Sequence, residues 1–139
     1  MRAIVLLADS AQVDAQQKVH ALGQGWTITS TPTPAAAVCV FILVPWTATN
    51  QKHRFTLRLV DSDGQDVAGA EGQLLRIEGE FEMGRPPGTK PGGALTQPFV
   101  LNVPPGLALS AGESYAWRMD IDGHHDEDWS AQFTVRDQQ

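Results

Sequence analysis

The stretch "LLRIEGEFEM", residues 74–83, decides the fold class, because its apolar and charged residues alternate with a period of two. The apolar set is Leu75, Ile77, Phe81 and Met83, and the charged set between them is Arg76, Glu78, Glu80 and Glu82. Successive side chains of a β-strand point to opposite faces of the sheet. The alternation therefore predicts a strand with one face in a core and the other in water.

The same alternation recurs along most of the chain. The further residues predicted to face inward are Phe55, Leu57, Leu59, Phe99, Leu101, Val103, Tyr115, Trp117, Met119, Ile121, Trp129, Ala131, Phe133 and Val135. Stretches 3–8 and 38–44 are apolar on both faces and predict central strands, while 18–30 predicts a strand bulged near its glycines. About eight strands predict an all-β fold, an antiparallel β-sandwich in which an immunoglobulin-like Greek key is favoured.

The connections between these strands are rich in turn residues. "DSDGQD" (61–66) and "IDGHHDEDW" (121–129) each contain an Asp-Gly turn signal. Only "ADSAQVDAQQK" (8–18) has helical potential, and we expect at most one short turn there. The longest irregular stretch is "MGRPPGTKPGGALTQP" (83–98), with four prolines and four glycines. Loops of this length are typically either functional or disordered.

Length and composition restrict the class of protein. A chain of 139 residues is sufficient for one domain, which we expect to span 1–139. A net charge of -6 weighs against nucleic acid or an anionic membrane as the partner. The lone Cys39 excludes an intrachain disulfide, and its apolar neighbours predict a buried thiol. The apolar run before Asp9 is too short for a secretory signal or a membrane span, so we expect a cytoplasmic location.

The last thirty residues resemble a known architecture. "LSAGESYAW" (109–117) has the Leu-x-x-Gly-x-x-Tyr spacing of the tyrosine corner found in immunoglobulin-like sandwiches. "YAWRMDIDG" followed by "DWSAQFTV" resembles the final hairpin of a fibronectin type III domain. The resemblance implies that the hydroxyl of Tyr115 bonds to backbone upstream, within the turn around Leu109 to Gly112.

A second resemblance extends along the whole chain. It is carried by "LLADSAQVD", "KVHALGQGWT", "EFEMGRPPG" and the closing "WRMDIDG" and "EDW". These segments are similar to a small bacterial family of unknown function, best represented among actinobacteria. The resemblance implies a single short domain and assigns no activity.

Metal-capable side chains cluster in the acidic turns. The candidate ligands are Asp61, Asp63, His124, Asp126 and Asp128, from the acidic loops 61–66 and 122–128. Adjacent histidines in an extended chain point to opposite sides, and no Cys-x-x-Cys or His-x-x-x-His spacing supplies a tetrahedral zinc site. "DSDGQD" has neither the twelfth-position glutamate nor the helices of a calcium-binding EF-hand. We favour solvated turns, and a module that binds calcium or zinc is the alternative.

Catalytic motifs are absent from the sequence. There is no Gly-x-Ser-x-Gly elbow, no phosphate-binding loop and no dinucleotide fingerprint. We therefore expect a protein that is not an enzyme, needs no cofactor, and binds another protein or acts as an accessory subunit.

The candidate binding residues lie in loops, where sandwich domains present recognition surfaces. They are Arg85, Lys90, Trp46, His124 and His125. Loop 84–98 is basic and proline-rich, whereas the tip 122–128 is acidic. If the two lie at different ends or edges, a head-to-tail contact between copies, and so a homo-oligomer, becomes electrostatically plausible. The alternative, slightly favoured, is that the proline loop covers a sheet edge.

Overall fold

The computed structural model describes residues 1–69 and 71–137, and these residues form an all-β protein. Its strands are β1 (Arg2–Ala8), β2 (Ser10–Val13), β3 (Val19–Leu22), β4 (Ile28–Thr29), β5 (Ala36–Val44), β6 (Lys52–Asp61), β7 (Arg76–Glu82), β8 (Leu95–Val103), β9 (Ser114–Ile121) and β10 (Ser130–Val135). A single 3-10 turn, Trp46–Ala48, is the one helical element in these two ranges. None of their helical structure is long and apolar enough to cross a membrane.

The strands form two larger sheets and one hairpin. One sheet has the order β1-β5-β8, and the other has the order β4-β10-β9-β6-β7. The pairs are antiparallel except for the short β4–β10 pair, which is parallel. Sequence-neighbouring strands β5 and β6 lie in different sheets, so the chain crosses between the layers after Val44. The two larger sheets share one hydrophobic core.

The core confirms the alternation predicted from the sequence. Every residue predicted to face inward belongs to the core or packs against it. Leu57, Leu59, Met119 and Val135 are fully buried within it. Strand β5 is buried along both faces for most of its length, as its continuous apolar sequence predicts, and Cys39 within it is completely buried.

The segment between β1 and β5 differs from the prediction. Residues 8–18 contain strand β2, where at most one short helical turn is expected, and 18–30 is divided between β3 and β4, which belong to different sheets. The β2–β3 hairpin packs on the outer face of the three-stranded sheet, where Ala11, Val19 and Ala21 contact a second apolar cluster. A short strand pairing satisfies backbone groups that a single helical turn would leave unpaired. The described residues therefore form ten strands, against about eight predicted.

The tyrosine corner is present. Tyr115 is buried, and the backbone N–H of Ser110 donates a hydrogen bond of 3.0 Å to its hydroxyl. Its ring stacks on Phe133 of the neighbouring strand, with centroids 5.9 Å apart. The predicted bond to upstream backbone is confirmed, and it fixes the turn that leads into β9.

Candidate functional site

A compact loop at one end of the molecule places Trp46 beside the start of β6. Pro45 begins the 3-10 turn, whose N–H groups are used locally: Ala48 donates to Pro45, and Thr49 donates to Trp46. The Thr49 hydroxyl also donates to the carbonyl oxygen of Trp46, at 2.6 Å. Three hydrogen bonds within five residues fix the backbone that carries the indole.

Arg85 closes over this indole from the chain that leaves β7. Its guanidinium carbon lies 3.9 Å from the centroid of the Trp46 ring, which is the geometry of a cation–π contact. Its Nε donates to the Thr49 hydroxyl at 2.7 Å, and one terminal nitrogen donates to the carbonyl of Trp46 at 3.0 Å. We call Trp46, Thr49 and Arg85 the platform. Two candidate binding residues separated by 39 positions are thus brought into direct contact.

The charge of Arg85 has no carboxylate partner among residues 1–69 and 71–137. Its contacts are an aromatic face, a hydroxyl and a carbonyl, which orient the guanidinium without neutralising it. The side chain is exposed, whereas Trp46 is half-buried. The platform therefore presents a fixed, unneutralised cation to solvent.

Beneath the platform, His53 joins the same loop to the β9–β10 hairpin. Its Nδ1 lies 2.6 Å from Oδ2 of Asp122, and its Nε2 lies 2.8 Å from the carbonyl oxygen of Ala48. The other carboxylate oxygen of Asp122 accepts the backbone N–H of Arg54 at 2.9 Å. His53 is 6 % exposed and is therefore buried, which is uncommon for a histidine at a site of this kind unless both ring nitrogens have partners.

The His53–Asp122 contact stabilises the charged form of both residues. Burial opposes the charged form of His53, but the bonds to Ala48 and Asp122, together with the Asp122 charge, outweigh it and raise the pKa of His53 above its ordinary 6.5. Burial likewise raises the pKa of Asp122, but the bonds from Arg54 and His53 outweigh it, so that the pKa lies below 3.8. A ring with both nitrogens facing acceptors satisfies them only when doubly protonated. The pair therefore acts as an ionic link between the loop and the hairpin.

The remaining binding candidates lie apart from the platform. Lys90 is exposed in the proline-rich loop. His124 is exposed, and its backbone pairs with that of Ile121. His125 is half-buried: its Nδ1 donates to the carbonyl of Met119 at 2.9 Å, and its ring meets Trp129 edge-on. The two adjacent histidines therefore have different surroundings: His124 faces solvent, and His125 packs against Trp129.

The acidic candidates act as turn residues. Asp61 accepts the backbone N–H groups of Asp63 and Gln65, and Asp126 accepts that of Asp128. Both acidic loops border one groove of about 430 Å³ on the solvent face of the five-stranded sheet, since Asp61 and Glu127 both line it. Among residues 1–69 and 71–137, however, no three His, Cys, Asp or Glu side chains are grouped as a metal ion requires.

The structure also bears on the two interpretations of the proline loop. Arg85 contacts Trp46 and Thr49, and His53 connects the neighbouring Ala48 to Asp122. The first basic group of the loop and the start of the acidic tip therefore lie at the same end of the molecule. The backbone bonds described within 84–94 are local turns, Thr89 to Pro86 and Gly93 to Lys90, so the loop does not pair with a sheet edge.

A family model, described as a family of unknown function (DUF6941), matches residues 3–136. The chain belongs to this family. No curated protein and no solved structure matches the chain. The match spans both large sheets, the platform and the His53–Asp122 link, so these features lie within the DUF6941 region.

Sequence reasoning missed two contacts of the candidate site in this DUF6941 member, the His53–Asp122 pair and the packing of Arg85 on Trp46. The burial of His53 could have been predicted from the sequence, because His53 shares the parity of the inward residues Phe55, Leu57 and Leu59 on the same strand. The partnership of His53 with Asp122 joins residues 69 positions apart, and only the strand order that sets β6 beside β9 brings them together. The contact between Arg85 and Trp46 depends on the pairing of β6 with β7, which brings the chain before β6 close to the chain after β7.

Proposed function

We propose that this DUF6941 member is a non-enzymatic protein-binding or accessory module that docks a partner on the platform. The observation that carries the proposal is the exposed Arg85, fixed over Trp46 and lacking a carboxylate partner in the described ranges. Tryptophan and arginine are the residue types that most often dominate the binding energy of protein interfaces. A side chain already held in its bound geometry also loses less entropy on association.

The partner surface that suits the platform is acidic. A carboxylate of the partner would meet a guanidinium whose remaining donors face solvent, and charge-assisted bonds of this kind are the strong ones. The chain as a whole carries a net charge of -6, so a generally acidic partner would be repelled elsewhere. Recognition would therefore be local, through one acidic group placed against Arg85.

We further infer that the fold is an immunoglobulin-like Greek-key sandwich. The tyrosine corner supports it, as does the distribution of β1, β5 and β8 in one sheet and β6, β9 and β10 in the other. Immunoglobulin domains distribute strands A, B and E against C, F and G in the same way. A cytoplasmic location is part of the proposal, supported by the buried thiol of Cys39.

Capture from a lysate of the source organism tests the platform. The immobilised wild-type protein is compared with Trp46→Ala and Arg85→Glu, and Arg136→Glu serves as the control. Arg136 is exposed at the opposite end, so that variant makes the same charge change away from the platform. A partner held by the wild type and the control, and bound at least tenfold more weakly by both platform variants when purified, supports the proposal. Equal affinity of Arg85→Glu for that partner overturns it.

The divalent-metal alternative is not put forward, because no three potential ligands are grouped among residues 1–69 and 71–137. A thermal melt in calcium or zinc checks this choice directly. An ion present at 100 times its dissociation constant would add about 2.7 kcal/mol to the free energy of unfolding. A rise in melting temperature that corresponds to this free energy would restore the metal hypothesis.

A further inference from the structure

Strand β7 is an open edge of the five-stranded sheet. It pairs with β6 along a register that runs from Lys52 opposite Glu82 to Arg58 opposite Arg76. No other strand of the described ranges pairs with its second side. The backbone groups on that side are therefore free to accept another strand.

No described backbone hydrogen bond joins the proline-rich loop that follows β7 to this edge. Its described backbone bonds are local, and a Cβ atom added at Gly84, Gly88 or Gly92 would meet nothing within 4 Å. By contrast β8, an edge of the other sheet, carries Pro98 near its middle, and a proline cannot donate a ladder hydrogen bond.

Glutamates make the solvent face of β7 acidic. Glu78, Glu80 and Glu82 alternate along it, and the side chains of Glu78 and Glu80 are 64 % and 53 % exposed. Arg76 and Arg54 pair with Glu78 and Glu80, but ion pairs at this exposure contribute little and exchange readily. The strand therefore has acceptors for cations beside its free backbone.

The same glutamates oppose pairing with a second copy. An antiparallel β7–β7 contact that keeps the outer faces together must pair even-numbered residues with even-numbered residues. Centred on Gly79 it sets Glu78 opposite Glu80, and centred on Glu80 it sets Glu78 opposite Glu82. Like charges directly opposite one another destabilise a strand pair. In these two registers the glutamates disfavour a second copy, and a strand with basic residues at the same positions would avoid the repulsion.

We propose that β7 binds an extended segment of another protein, in which basic and apolar residues alternate, as an added strand of the sheet. The basic side chains would lie opposite Glu78, Glu80 and Glu82. The apolar side chains would follow the inner face, where Ile77, Gly79 and Phe81 are half-buried. Backbone bonds supply affinity in such strand addition, and the alternate side chains supply specificity. The inference rests on the proposed class of protein-binding module, but not on the platform.

A synthetic nine-residue peptide alternating lysine and valine is the probe. Titration is followed by nuclear magnetic resonance of the backbone amides, and we expect shifts concentrated at 76–82 with slowed amide exchange there. A peptide of the same sequence with N-methyl groups on alternate residues keeps the charge and removes backbone donors. It should bind at least tenfold more weakly. Equal binding of the two peptides, or shifts spread over other surfaces, overturns the proposal.

Protein variants separate the edge from general electrostatics and from the platform. The triple variant Glu78→Lys, Glu80→Lys and Glu82→Lys should lose the peptide, whereas Asp63→Lys, Glu71→Lys and Glu113→Lys, with the same charge change at exposed positions, should keep it. Arg85→Glu should also keep it, so failure of the platform and failure of the edge are distinguishable. Sedimentation of the wild type should show no dimer formed through β7. Such a dimer would overturn the proposal, because a second copy of the chain would then occupy the edge.

Discussion

The ring of Phe55 lies over the backbone of Gly79 on the neighbouring strand. The two residues are opposite each other in the β6–β7 register, and a Cβ atom built on Gly79 would lie 2.8 Å from both Cε1 and Cζ of the ring. The same ring contacts Phe99 of the opposite sheet, with centroids 4.7 Å apart. The absence of a side chain at position 79 therefore allows Phe55 to join the two sheets near the open edge.

Substitution of Gly79 by alanine should reveal this contact. Its backbone φ is not in the left-handed region, so only the ring opposes a side chain there. In the wild type, Gly79→Ala should lower the free energy of unfolding by about 1–3 kcal/mol through overpacking. In a Phe55→Ala background the same change should raise it by about 0.5–1 kcal/mol, because glycine is unfavourable inside a strand. Urea denaturation of the four proteins measures both values, and an equal effect in the two backgrounds contradicts the contact.

The tyrosine corner predicts that removal of one hydroxyl lowers the free energy of unfolding by a small amount. Tyr115→Phe keeps the stacking on Phe133 and removes the acceptor for the Ser110 N–H. The free energy of unfolding should fall by about 1 kcal/mol, the net value of one hydrogen bond. Gln132→Ala, at an exposed position of the neighbouring strand β10, serves as the control. An unchanged midpoint of denaturation in Tyr115→Phe would show that the corner does not stabilise the turn.

The environments of Phe55 and Tyr115 show which parts of the fold can be predicted from the sequence. Alternation with period two assigns Phe55, Leu57 and Tyr115 to the core without knowledge of their partners, because a strand fixes the face of each side chain by its parity alone. The motif around Tyr115 predicts its bond because both partners lie within six residues. Local rules are sufficient wherever the interaction itself is local.

The candidate site shows where local rules fail. Trp46 and Arg85 are each identified as binding residues from composition, but their contact depends on where β7 delivers the chain. Strand β2, which local sequence did not predict within 8–18, forms because its pairing with β3 covers the outer face of the three-stranded sheet. A tertiary partner therefore overrides a weak local preference.

The His53–Asp122 link predicts a dependence of stability on pH. The pKa of His53 is raised in the fold, so its contribution is complete below about 6.5, its unfolded value, and is lost as pH rises through the folded pKa. The pKa of Asp122 is lowered, so its contribution is complete above 3.8 and is lost as pH falls through the folded pKa. The link should therefore be strongest between these two values.

Asp122→Asn isolates this charge. Asp122 has a positive φ of 51°, a conformation that asparagine adopts as readily as aspartate, so the turn itself is preserved. Urea denaturation from pH 4 to 8.5 should show the largest difference between wild type and variant near pH 5 to 6, and a smaller one at the alkaline end. A difference that is constant with pH would mean that Asp122 acts through its hydrogen bond to Arg54 rather than through the charge of His53.

Three arginines stand side by side on the solvent face of the five-stranded sheet. Arg58 is directly opposite Arg76 on one side and Arg118 on the other. Like charges in such positions repel, so the row requires anions close by. Asp120 supplies one, with its carboxylate 3.5 Å from Nε of Arg58 and 3.2 Å from Nε of Arg118. Asp66 supplies another, 2.9 Å from Arg58.

Asp120→Asn should therefore cost more than an ordinary surface substitution. Two partly exposed ion pairs are lost and the repulsion between Arg58 and Arg118 is uncovered, so the free energy of unfolding should fall by about 1–2 kcal/mol at low salt. The deficit should shrink in 1 M salt, where the screening length is about 3 Å. Asp63→Asn makes the same charge change at an exposed turn position and should be nearly neutral. Equal losses in the two variants, or a deficit of Asp120→Asn that salt leaves unchanged, would show that Asp120 does not neutralise the row, because the control loses the same charge away from these arginines.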